Sequence, residues 1–217
     1  MSKKELLKRY IAFIIGLFFM ALGIAVTRRG ELGVSPISSV PNILSYKFTS
    51  VSLGNWLIIW NFVLIAAQIA ILRKDFKPVQ LLQIPLSVLF GYFTDIGMRC
   101  TSFVKADNYI MQLAMVFSGV AILGFGVSVT VIADVIMNSG EAVVKVISDK
   151  LKKDFGNVKI VFDISSVILS IILSLIFFNF RIVGTREGTV IAAFCTGMFV
   201  KLFLKLLKKP LNSRLKG

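Results

Sequence analysis

The chain has 217 residues, 56% of them hydrophobic, with 25 Lys and Arg against 11 Asp and Glu, a net charge of +14 and a mean hydropathy of +0.84. A soluble domain of this balance could not cover its surface with polar groups, and the basic residues sit at the ends of apolar runs, which argues for anionic lipid headgroups and against nucleic acid as a partner. There is no histidine, and Cys100 and Cys195 have no pairing spacing, so His-based zinc sites, Ser-His-Asp triads and HExxH chemistry are excluded; neither a cofactor nor an enzyme is expected.

Six runs are long and apolar enough to span a bilayer: residues 10–27, 53–72, 78–98, 108–132, 158–178 and 188–207. The first lacks a clear small-residue cleavage site and is followed by others of its kind, so it reads as a span and not as a signal peptide. Between the first and second runs lies GVSPISSVPNILS (33–45), too polar to cross and less polar than an ordinary loop. Ser35 is placed to cap a short helix with Pro36 at its first position, and Pro41 is expected to bend or end it. In the fourth loop, VIMNSGEAVVKVIS (135–148) offers Asn138 as a cap and Glu141 as its capping-box partner; Glu141 and Lys145 also form an i,i+4 pair of the kind found on exposed helices. A rival model has eight spans, with residues 34–46 and 138–150 crossing too. Thirteen helical residues reach only about 20 Å, which favours six spans and two partial elements, re-entrant or interfacial. With the amino terminus inside, 18 of the 25 basic residues fall on the cytoplasmic side, so both termini are expected there.

The chain also repeats itself. GLFFMALGIAVT (16–27) aligns with GVAILGFGVSVT (119–130) at an offset of 103, which carries Gly16, Gly23 and Thr27 to Gly119, Gly126 and Thr130. The same offset carries Ser35 to Asn138 and Ser38 to Glu141; an offset of 102 then carries Gly54-Asn55 to Gly156-Asn157 and Asn61 to Asp163. In the last span of each half only Gly91 finds a counterpart, Gly197. Three spans per half is an odd number, so the halves, about 10–104 and 105–209 within one transmembrane domain (1–217), would lie upside down to each other. The fold class expected is therefore all-α: a polytopic membrane protein of six helices in two inverted three-helix repeats, each with a short helix in the same slot. If both short helices dip inward, their N-terminal ends meet near the midplane, where free N–H groups attract polar or anionic ligands.

The expected solute-binding residues are Gly33, Ser35, Ser38 and Ser39 in the first short segment and Asn138, Ser139 and Glu141 in the second, with Asn61, Asp163, Ser166 and Ser170 beside them. Asp163, Ser166, Ser170 and Ser174 share a helix face, and an intramembrane carboxylate is a functional candidate; alternatively Asp163 pairs with Lys159 at headgroup depth and the serines permit close packing. Asn61 and Gln68 bind a ligand or bond across helices. Asp95 reads as interfacial, Gln83 and Pro85 as a kink, and Trp56 and Trp60 as an interfacial belt or a stacking site. The glycines at 16, 23, 119, 124 and 126 read as packing positions between the first and fourth spans.

A glycine-rich first span followed by LGVSPISSVPNILS and LGNW resembles the YitT/YczE-type integral membrane proteins of bacteria. Leu32-Gly33 and Pro36 match that family's element after the first span, whereas Ile37 and Ser38 stand where Trp-Asp is common. The resemblance implies a permease-like protein of the bacterial inner membrane. The function expected is a small secondary transporter for a small polar or anionic solute, with a proton or sodium as coupling ion. The alternative is a solute-capturing membrane subunit, for a vitamin or metabolite, that works with a partner energising complex. Association into a homo-oligomer stays open.

Overall fold

The computed structural model describes residues 2–216. It is all-helical. Six helices are long and apolar enough to cross a membrane, and they fit a multi-pass membrane protein. In chain order the elements are α1 (Lys3–Arg29), α2 (Pro36–Lys47), α3 (Leu53–Leu72), α4 (Gln83–Cys100), α5 (Tyr109–Ala133), α6 (Ser139–Leu151), α7 (Phe155–Phe177) and α8 (Glu187–Lys216). Two 3₁₀ turns, Arg73–Asp75 and Pro78–Leu82, join α3 to α4, so Pro85 falls in the first turn of α4 and Gln83 opens it.

The centre is the α1–α5 pair, the two most buried of the long helices. They cross antiparallel through two glycine contacts. A Cβ on Gly16 would come 2.8 Å from the Gly126 carbonyl oxygen, and one on Gly23 would come 2.7 Å from the Gly119 carbonyl oxygen. Backbones approach this closely only where side chains vanish, which is how helices gain contact in lipid without a hydrophobic drive between them. Gly124 does not join them; it faces Phe199 of α8 instead. Arg9 is buried, pairs with Glu5 and donates to the Ile132 and Ala133 carbonyl oxygens, satisfying the C-terminal end of α5. Arg29 does the same for α4 through the Met98 carbonyl oxygen at 2.6 Å. The two chain ends lie on one side, where Lys8 donates to the Arg214 carbonyl oxygen.

The short helices are exchanged between the halves. α2 packs on α7, and α6 packs on α3. α2 runs on through Pro41 to Lys47: the proline withholds one N–H, from the Ile37 carbonyl, and the helix survives because Pro36 and Pro41 flank a turn already held by its neighbours. The chain reaches α2 through Gly33, whose φ of +115° and position against Thr189 and Arg186 admit no Cβ. Beside the start of α6, Gln68 and Gln83 exchange amide hydrogen bonds, both at 3.1 Å, and Gln68 also donates to the Ser139 carbonyl oxygen. Gln68 is thus a cross-helix tie. Gln68→Leu leaves the buried Gln83 amide without its partner and is expected to lower stability by about 1 kcal/mol, readable as a reduced melting temperature in detergent.

Candidate functional site

A cavity of about 690 Å³ lies where the two short helices begin. Ser35 and Ser38 line it from α2, Asn138 and Glu141 from α6, and Ile37 packs against Gly140, so the two N-terminal ends are neighbours. Trp60 and Asn61 of α3, Lys159 and Asp163 of α7, Thr130 and Asp134 from the end of α5, and Thr196 and Gly197 of α8 complete the polar and small-residue part of the wall. Most of the remaining wall is apolar, including Met20, Leu57, Phe90 and Leu123.

Local sequence explains how the charged groups arrive there. Lys159 and Asp163 are one turn apart on α7, and the Lys159 ammonium donates to both carboxylate oxygens of Asp163. The pair expected from the spacing therefore forms, and it forms on the cavity wall. Glu141 sits in the first turn of α6 and is not the partner of Lys145, which pairs instead with Asp149 on the exposed face at 2.6 Å. Oε2 of Glu141 is buried without a hydrogen-bond partner, as are Nε1 of Trp60 and Nδ2 of Asn61. Glu141 lies in α6, outside the six long helices, and burial pushes its carboxyl above the ordinary glutamate range, opposed by the nearby Lys159 ammonium.

The caps differ in part from those read in the sequence. Ser35 makes no capping bond to the α2 backbone; its hydroxyl lies 3.0 Å from that of Ser38. Asn138 accepts from the Ser139 N–H at 2.9 Å, and the capping box with Glu141 does not form. Asn138 thus caps α6 as expected, while the Ser35 hydroxyl and the Glu141 carboxyl at the cavity wall are uncommitted to the helix starts.

Of the expected residues, the cavity brings together Ser35, Ser38, Asn61, Asn138, Glu141 and Asp163. Five lie off its wall. Gly33 turns the chain into α2. Ser39 donates to the Pro36 and Ser166 carbonyl oxygens, joining α2 to α7. Ser139 donates to Asn61 Oδ1 at 2.6 Å and so orients that side chain. Ser166 donates to the Phe162 carbonyl oxygen of its own helix, and Ser170 shares a hydrogen bond with Thr185. Ser166, Ser170 and Ser174 are the buried residues of α7, so the hydroxyl stripe is its packing face, as small polar residues are at helix contacts in lipid. Trp60, read as belt or stacking site, lies on the cavity wall. Lys159 was visible only as a neighbour of Asp163. Asp134 and Thr196 carried no signal in sequence, because facing a cavity depends on helix rotation. Among the described residues no group of three or more His, Cys, Asp or Glu could hold a metal ion.

The chain belongs to a family of unknown function, DUF6198, whose model matches residues 7–205. No curated protein and no solved structure matches it. The family match does not carry the YitT/YczE name, and that likeness remains a resemblance.

Proposed function

We propose that the protein is a small secondary transporter, built from two inverted three-helix halves that rock about the cavity, in which α2 and α6 are re-entrant helices entering from opposite faces. One observation carries this reading: two short helices from equivalent points of the chain bring their N-terminal ends to one cavity, beside an ion pair and the half-buried Glu141, whose Oε2 is enclosed. Helix N-termini at the midplane of a repeat interface hold solutes in transporters of this general plan. The antiparallel α1–α5 crossing supports the inverted relation, because Gly16 with Gly126 and Gly119 with Gly23 are the same contact under the offset of 103.

The solute is small and polar. Lys159 is outnumbered by Asp163, Glu141 and Asp134 around the wall, which favours a solute carrying a hydrogen-donating or positive group beside any anionic one over a bare anion. Glu141 and Asp163 are the groups able to take up a coupling proton or sodium ion. The charge bias supports cytoplasmic termini, and the YitT/YczE resemblance supports a bacterial inner membrane. Uptake and counterflow of a labelled metabolite panel in proteoliposomes test the reading. Solute flux above empty liposomes is expected; tight solute binding without flux, restored by a co-purifying complex, would replace it with the capture-subunit reading.

A further inference from the structure

The walls of the cavity differ between the halves. In the first, α3 crosses α4 at Gly54 and Gly91 so closely that a Cβ on Gly54 would collide with the Gly91 carbonyl oxygen, and one on Gly91 would come 2.6 Å from the Gly54 carbonyl oxygen. Asp95 pins the crossing: it accepts from the Gly54 N–H at 2.9 Å and from the Ser52 hydroxyl at 2.6 Å. In the second half, α7 and α8 hardly touch among the described residues, and the cavity is lined between them by Phe155 and Lys159 on one side and Gly197 and Val200 on the other.

The second half nevertheless carries the same parts. The offset of 102 takes Ser52 and Gly54 to Asp154 and Gly156, and the offset of 106 that takes Gly91 to Gly197 takes Asp95 to Lys201. The polarity is reversed but complementary: the helix-start hydroxyl becomes a carboxylate, and the carboxylate one turn past the glycine becomes an ammonium. None of these parts is engaged across the gap. A Cβ on Gly197 would meet nothing within 4 Å, and one on Gly156 would meet only Asp154 of its own helix start. Asp154 accepts from the Asn157 N–H, and Lys201 is exposed.

We infer that α7 and α8 close on each other at Gly156 and Gly197, latched by an Asp154–Lys201 ion pair, in a second conformation that seals the cavity where it now opens. This rests on the inverted-repeat transporter reading above. In that second conformation the Gly54–Gly91 crossing and its Asp95 pin part, so one gate opens as the other shuts. Gly156 opens α7 and Gly197 lies partway along α8; on this inference the described conformation is the one open toward the side of the chain ends.

The test is bifunctional thiol cross-linking in native membranes, in a background with Cys100→Ser and Cys195→Ser. One cysteine pair replaces Asp154 and Lys201, the other Ser52 and Asp95. Each pair is expected to link within one chain, and linking residues 52 and 95 first should suppress linking of 154 to 201. Gly197→Leu is a second variant. Its side chain has room in the described conformation but not in a closed crossing, so it should abolish the 154–201 link and spare the 52–95 link. Three results overturn the inference: no 154–201 link where 52–95 links, a link only between chains, or both links formed in one molecule. Reciprocal linking without solute flux would instead leave the gate standing and remove the transport reading, whereas flux without the 154–201 link removes the gate alone.

Discussion

Gly23→Ala is expected to destabilise the protein by about 3 kcal/mol, the upper part of the range for overpacking a close contact. The added methyl would lie 2.5 Å from the Leu123 amide nitrogen, 2.7 Å from the Gly119 carbonyl oxygen and 2.8 Å from Leu123 Cα. All three are backbone atoms, so no side chain can swing away, and relief requires α1 and α5 to part along the pair that centres the bundle. Gly197→Ala is the matched control. It also replaces a glycine within a helix, but into open space, and should be neutral or raise stability by about 0.5–1 kcal/mol from the lower conformational entropy of alanine. Thermal unfolding of both variants in the same detergent reads the contrast; equal melting temperatures would mean that the glycine crossing does not hold the bundle together.

Glu141→Gln should separate activity from stability. If Glu141 handles a solute or coupling ion, losing its charge removes an interaction of about 1.5–3 kcal/mol and lowers flux by about tenfold to a hundredfold. Stability should move the other way at alkaline pH. The carboxyl titrates higher in the folded chain than in the unfolded one because of its burial, with Lys159 opposing and Asp163 reinforcing the shift. The native state therefore holds a proton that the unfolded state has released. The contribution is fully present below the unfolded value of about 4.3 and is lost as pH rises through the higher folded value. Glutamine cannot titrate, so the variant should keep stability over the upper window where the parent loses it. A variant with unchanged flux and an unchanged pH profile of melting would take Glu141 out of the mechanism.

Much of the architecture was legible because hydropathy is the dominant signal in lipid. The run 53–72 coincides with α3, and the others agree to within a few residues except where charged turns prolong α1 and α8. The short helices were legible from Pro36 and Asn138, since helix starts are written locally. What they face was not. Ser166 and Ser170 looked like ligands because a hydroxyl face on a span has two uses; in the structure both are buried off the cavity, the Ser166 hydroxyl bonded within α7 and that of Ser170 to Thr185. Glu141 looked equally like one end of an exposed pair with Lys145. Its burial depends on α6 lying against α3 and α7, contacts made far along the chain. The parting of α7 from α8 left no trace in either helix alone; it shows only beside the tight α3–α4 crossing.

The account turns on two short helices that enter from opposite faces. Single cysteines at Lys47 and Lys150, exposed residues near the outer ends of α2 and α6, report this directly in the background lacking Cys100 and Cys195. With a membrane-impermeant maleimide, the residue 47 thiol should label only in intact cells and the residue 150 thiol only in inside-out vesicles. Labelling of both from the same face would contradict the inverted arrangement and, with it, the shared solute cavity.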